Sequence, residues 1–184
     1  MEFSNRCLFG IAALVLLSGV DAAKPKKPGG PVFGGPEPFA GALRGTVYRL
    51  PKNTSWLPDF SLLRPVGFVF TNVLDYPLRP YDDEWFGIDY EGQFYVIKSG
   101  RYNFWLTSDD GAQLYIDGKR IINNDGIHGE ETEERPVVLE AGMHQLRVPY
   151  FQGPRPYISL ILEVQVPGGK KRIFNTDEFR PGVR

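Results

Sequence analysis

The stretch GRYNFWLTSDDGAQLYIDGKRII, Gly100 to Ile122, decides how the chain folds. In Tyr102-Asn103-Phe104-Trp105-Leu106 every second residue, Tyr102, Phe104 and Leu106, falls on one face, the period of a half-buried strand. Asp117-Gly118 then separates two apolar runs, AQLYI and KRII. Both residues tolerate positive φ, so the pair predicts a two-residue hairpin turn. Between these two signals lie Asp109 and Asp110, adjacent carboxylates where an apolar strand ends. On a regular strand their side chains would point to opposite faces.

The same signals recur on both sides. LRGTVYRL (Leu43–Leu50) and VGFVF (Val66–Phe70) read as short strands, and EWFGIDYEGQFYVIKSG continues as strands turning at Gly92 and Gly100. MHQLRVPY places Leu146, Val148 and Tyr150 on one face. YISLILEVQV places Ile158, Leu160, Leu162, Val164 and Val166 on one face, with Ser159, Ile161, Glu163 and Gln165 opposite. No window of a dozen residues carries a helical stripe. With 21 Gly and 16 Pro among 184 residues, the pattern predicts an all-β fold, an antiparallel sandwich or barrel. Two segments resist it. LPKNTSWLPDFSLLRPVG, residues 50–67, reads as a long irregular connection. NNDGIHGEETEERP, residues 123–136, reads as a polar loop carrying Asp125, Glu130, Glu131, Glu133 and Glu134.

The start of the chain suggests processing. Residues 1–22 have Arg6, an apolar run from Leu8 to Leu17 and a small residue at Ala22, as a secretion signal does; a membrane anchor is the alternative, disfavoured by the short span. Cys7, the only cysteine, lies inside this segment, so the mature chain has no disulfide. Residues 23–39 are rich in Pro, Gly and Lys and read as a flexible linker; residues 40–184 form one β-sandwich domain. Formal net charge is −1. Losing Glu2, Arg6 and Asp21 with the signal brings it to zero, which gives no support to nucleic-acid binding. The expected location is secreted, periplasmic or cell-surface, with no membrane span after signal removal.

Three readings of Asp109-Asp110 compete. Ser-Asp-Asp-Gly is good turn chemistry, with Asp side chains bonding nearby amides. A glycosidase needs two carboxyl groups straddling a bond, a task for which sequence neighbours are poorly placed. Calcium asks for six to eight hard oxygen ligands, and two adjacent carboxylates can supply some of them if a cis peptide brings them together. YFQGPRPY, Tyr150 to Tyr157, offers further groups: the Gln152 amide oxygen, carbonyls around Gly153 and Pro154, and the Arg155 guanidinium. The bland reading of that stretch is an ordinary connection between strands.

Taken together, SDDGAQLYIDG, NDGIH and YFQGPR, in that order, resemble the protective-antigen N-terminal (PA14) domain family, from about Leu43 to Phe179. The resemblance implies an antiparallel β-sandwich. It implies, for the calcium-dependent lectin-like branch, a Ca2+ ion held by a cis Asp–Asp pair and completed by hydroxyls of a bound glycan or monosaccharide. On that basis the metal ligands are Asp109, Asp110, Gln152, Gly153 and Pro154, and the sugar-binding residues are Asp109, Asp110, Gln152, Arg155 and His128. Asn124 and Asp125 border the site, and Tyr157 or Trp85 are candidates for packing on a sugar face. The expected function is a secreted lectin or adhesin-like module, with a structural or protein-interaction module as the alternative. No catalytic constellation is present in the sequence. His128 and His144 lie outside any metalloprotease spacing, so an enzyme is not expected.

Overall fold

The computed structural model describes Gly34 and residues 42–80, 83–154 and 156–179. Arg155, residues 1–22, where a secretion signal is expected, and, Gly34 apart, residues 23–39, where a linker is expected, lie outside the described residues. Gly34 donates its N–H to the Tyr76 hydroxyl at 3.0 Å. No helix among the described residues is long and apolar enough to cross a membrane.

Among the described residues eleven strands form two antiparallel sheets. They are β1 (Leu43–Arg49), β2 (Pro65–Thr71), β3 (Asp75–Pro80), β4 (Phe86–Val96), β5 (Gly100–Asp109), β6 (Ala112–Ile116), β7 (Lys119–Asn124), β8 (Glu131–Leu139), β9 (Gly142–Gln152), β10 (Tyr157–Gln165) and β11 (Arg172–Ile173). One sheet runs β2-β1-β4-β9-β6-β7 and the other β11-β10-β5-β8, with β3 also paired to β10. The expected antiparallel β-sandwich is the fold observed. Its interior is the alternating apolar set read from the sequence: Tyr102, Phe104 and Leu106 of β5, Leu146, Val148 and Tyr150 of β9, and Ile158, Leu160, Leu162 and Val164 of β10 are all buried. Phe94, Phe104, Phe174 and Phe179 close one end of this core through edge-on and stacked ring contacts. A smaller cluster of Tyr48, Leu50, Phe60 and Phe151, joined by Leu57, Leu63 and Trp85, fills the other end. Asp117 and Gly118 have φ of 50° and 75°, as the β6–β7 hairpin turn requires.

The structure corrects the sequence reading in four places. Gly92 is not a turn: β4 runs straight through it, opposite Leu146. A Cβ there would stand 2.7 Å from Leu43 Cδ2, so the glycine marks a close approach between strands. The acidic segment 123–136 is not wholly a loop, because Glu131–Leu139 pairs with β5 along its length. It is an edge strand, where charged side chains reach water while the backbone bonds inward. Its acids are also used: Glu134 accepts from Trp105 Nε1 at 2.8 Å and from Asn103 Nδ2. The 50–67 connection contains a 3-10 turn, Phe60–Leu62, capped by Asp59, and its last residues already belong to β2. Ser159, placed on the outer face by alternation, is fully buried; it falls at the register shift in the pairing of β10 with β3. Its hydroxyl lies 3.1 Å from the Tyr76 carbonyl and 2.8 Å from Glu130 Oε2.

Candidate functional site

Asp109 ends β5 in one sheet and Ala112 begins β6 in the other. The paired acids therefore stand where the chain crosses between sheets, at the end of the sandwich. The peptide bond between them is cis. Asp109 still pairs with Ser159 of β10, and Ala112 pairs with Tyr150 of β9 and Asn124 of β7. Both sheets thus hold the crossover from either side, and both aspartates are buried, at 8% and 3% exposure.

Main-chain donors position Asp110. Its Oδ2 accepts from Gly153 N at 2.8 Å and from Gln152 Nε2 at 3.2 Å, and its Oδ1 accepts from His128 N at 3.2 Å. Gln152, fully buried, also directs Nε2 at the Pro154 carbonyl at 3.3 Å. The Tyr150 hydroxyl lies 2.6 Å from both the Asp109 carbonyl and Gln152 Oε1. The Gly153 carbonyl accepts from Trp85 N at 3.1 Å, which ties the start of β4 to the same turn. Asp109, Asp110, Gln152, Gly153 and Pro154 are thus gathered at one place from sequence positions more than forty residues apart.

Charge is poorly balanced here. Burial pushes the Asp109 carboxyl up to about 6, and the neighbouring Asp110 charge raises it further than the Gln152 hydrogen bond lowers it. Asp110 is also raised by burial, against the lowering effect of the Gly153 and His128 N–H groups. Neither aspartate forms an ion pair with a lysine or arginine among the described residues. Two carboxylates desolvated together, with no lysine or arginine paired to them among the described residues, suit a cation. Among the described residues no three His, Cys, Asp or Glu side chains converge on a metal position. The other polar groups beside the two carboxylates are the Gln152 amide, which turns its nitrogen toward Asp110, and the Pro154 carbonyl; carboxylate, amide and carbonyl oxygens are the ligand types that suit calcium better than a nitrogen- or sulfur-seeking metal.

The neighbouring segment is a clamp. Asp125 Oδ1 accepts from Leu57 N at 2.8 Å, pinning the β1–β2 loop to the β7–β8 turn. Asn124, buried, donates to Ser108 Oγ at 2.9 Å and to the Glu131 carbonyl at 3.0 Å. The His128 ring faces the carbonyls of Gly129 and Asn124, at 2.7 and 3.2 Å, so its N–H and not its ring reaches Asp110. Trp85 is packed into the smaller apolar cluster, whereas Tyr157 is 45% exposed at the start of β10. Trp56, which sequence reasoning passed over, is 65% exposed beside this turn. The only signal in the sequence was an aromatic residue in a segment with no alternation.

A family model described as PA14 domain matches residues 72–178, more than half of the chain. No curated protein matches closely enough to count. Among solved structures, an anti-sigma factor domain-containing protein superposes with a TM-score of 0.62 at 21% identity, over 76% of this chain and 48% of its own. This chain therefore spans about half of that protein's length. A PA14 sugar-binding domain from an RTX adhesin gives 0.63 at 18% identity, over 74% and 96% of the two chains. The A domain of epithelial adhesin 9 from Candida glabrata, solved with Galb1-3GlcNAc, gives 0.55 at 13% identity, over 79% and 92%. At these identities the likeness is one of fold. The family match, the crossover site and the sandwich agree, and the chain belongs to the PA14 domain family.

Proposed function

We propose that this protein is a secreted or cell-surface, calcium-dependent carbohydrate-binding module and not an enzyme. The observation that carries the reading is the pair of buried, mutually repelling carboxylates at Asp109 and Asp110, set beside the Gln152 amide and the Pro154 carbonyl. Similarity to a sugar-binding adhesin domain and to an epithelial adhesin domain solved with Galb1-3GlcNAc supports it. Asp109, Asp110, the Gln152 amide oxygen and the Pro154 carbonyl would hold the ion. Once bound, calcium supplies open coordination positions that vicinal sugar hydroxyls can fill.

Gln152 is built for two states. As it stands, one Tyr150 hydroxyl proton faces two acceptors, the Asp109 carbonyl and Gln152 Oε1. Turning the amide over lets Nε2 donate to the hydroxyl oxygen, while the hydroxyl proton serves Asp109 alone. Oε1 then joins Asp110 Oδ2 and the Pro154 carbonyl as a third oxygen. In this second state a cation facing the three oxygens replaces the two hydrogen bonds that Nε2 gives up, and one Nε2 proton is taken by the Tyr150 hydroxyl oxygen. The Gly153 and His128 N–H groups keep Asp110 fixed in both. Weak binding of a single sugar, millimolar to high micromolar, is worth only about 4–6 kcal/mol, so adhesion through such a site gains from several copies held close together.

Titration calorimetry with CaCl2 and a glycan array run with and without chelator test the reading. Saturable calcium binding and glycan binding that chelator abolishes are expected. Glycan binding that ignores chelator would exclude ion-mediated recognition. Calcium binding with no glycan bound would favour the structural module instead.

A further inference from the structure

The loop leaving β1 sends one side chain inward and holds its neighbour in water. Leu57 packs against the cluster of Tyr48, Leu50, Phe60 and Phe151, and its N–H is fastened to Asp125. Trp56, one residue earlier, is 65% exposed. Its indole lies against the turn that supports the carboxylates. A Cβ on Gly126 would stand 3.5 Å from Trp56 Cζ3 and 3.8 Å from His128 Cδ2. Ile127, 46% exposed, borders the acids directly: a Cβ on Gly153 would stand 2.6 Å from Ile127 Cδ1 and 3.2 Å from Asp110 Oδ2. An aromatic ring and a branched aliphatic chain thus form an apolar rim along one side of an anionic, oxygen-lined edge.

We propose that Trp56, with Ile127, is the second half of the ligand site, a platform for the C–H face of a terminal pyranose whose vicinal hydroxyls point to the Asp109–Asp110 edge. This inference rests on the carbohydrate reading above. The chemistry selects the ligand class. A pyranose ring carries hydroxyls around its edge and contiguous C–H bonds on a face, so it can meet both halves at once. A purely apolar ligand would desolvate the carboxylates without partnering them, and an open-chain diol would leave the indole uncovered. The Asp125 clamp fixes the Trp56 loop before ligand arrives, which limits the ordering cost of binding. The platform also favours sugars whose vicinal diol and apolar face lie on the same side of the ring.

The test uses the full chain and three probes, methyl α-D-mannopyranoside, methyl α-L-fucopyranoside and methyl β-D-galactopyranoside, in saturating calcium. Covering about 50 Å² of indole is worth a factor of about ten in affinity. Trp56→Ala should therefore bind the best probe about tenfold more weakly while keeping wild-type calcium affinity, and Trp56→Phe should recover part of the loss. The wild type should show a blue shift of tryptophan emission on adding that probe, and Trp56→Ala should not. Equal probe affinity in wild type and Trp56→Ala would overturn the platform and leave the calcium site standing. Loss of calcium affinity along with probe affinity would assign Trp56 to loop structure and also overturn it. If the wild type binds calcium but none of the three probes, the carbohydrate reading fails and the platform fails with it.

Discussion

Replacing Asp109 by Asn should make the ion-free protein more stable while removing its response to calcium. Asp109 is a carboxylate that the fold holds at a loss: burial first, and then the Asp110 charge, raise it to about 6. A carboxyl whose folded pKa lies above its unfolded value costs nothing below the unfolded value. Its penalty grows as pH rises from about 4 to about 6 and is complete above that. At 1.36 kcal/mol per pH unit the full shift would amount to about 3 kcal/mol, and solvent screening at the end of the sandwich reduces this to about 1–2 kcal/mol. Asn has nearly the same shape, keeps an oxygen for Gln152 and carries no charge. In chelator at pH 7.5, Asp109→Asn should melt about 3–6 °C above the wild type. Added calcium at a hundred times its dissociation constant should stabilise the wild type by about 2.7 kcal/mol and the variant hardly at all. Thermal denaturation with and without chelator, repeated at pH 4 where the wild-type penalty vanishes, measures all three quantities. A variant that melts below the wild type in chelator would show that the carboxylate is already compensated. One that keeps the calcium shift would show that Asp109 is not a ligand.

Tyr150→Phe removes the hydroxyl shared by the Asp109 carbonyl and Gln152, both buried, and should cost about 1–3 kcal/mol in urea denaturation as well as weakening calcium binding by calorimetry. Gly153→Ala puts a methyl group 2.6 Å from Ile127 Cδ1 and 3.2 Å from Asp110 Oδ2, so calcium affinity should fall by more than tenfold with the far-ultraviolet circular dichroism unchanged. His144 provides a pH test away from the site. Burial lowers its pKa, but the Glu140 carbonyl and the hydrogen bond and charge of Asp117, 2.6 Å away, outweigh burial and leave it raised. Its contribution is therefore complete below the ordinary histidine value near 6.5 and is lost as pH rises through the raised value. His144→Gln should cost about 0.5–1 kcal/mol at pH 5.5 and little at pH 9, a difference read from paired urea melts.

The parts of the molecule that were legible in sequence share one physical property: they are set by local period. Alternation in Tyr102–Leu106 and Ile158–Val164 states which face is buried, and it states this wherever the strand pairs. Asp117-Gly118 is legible for the same reason, since a two-residue turn is closed by its own backbone angles. Period fails where a third element decides the outcome. Ser159 alternates outward and is buried where the pairing of β3 with β10 shifts register and its hydroxyl meets the Tyr76 carbonyl and Glu130; Gly92 resembles punctuation and is a contact with Leu43; and the glutamates of β8 look like a loop until β5 supplies their hydrogen bonds. The candidate site divides along the same line. Asp109, Asp110 and Gln152 were readable because unusual residue types stood at strand ends within motifs. Trp56 was not, because its place depends on the packing of Leu57 against Tyr48, Leu50, Phe60 and Phe151 and on the hydrogen bond from Leu57 N to Asp125, across 68 residues of sequence. That bond explains why the sandwich recruits the β1–β2 loop to this end. With Leu57 anchored in this way the indole holds a fixed place beside the turn, and joins Ile127 along the anionic edge.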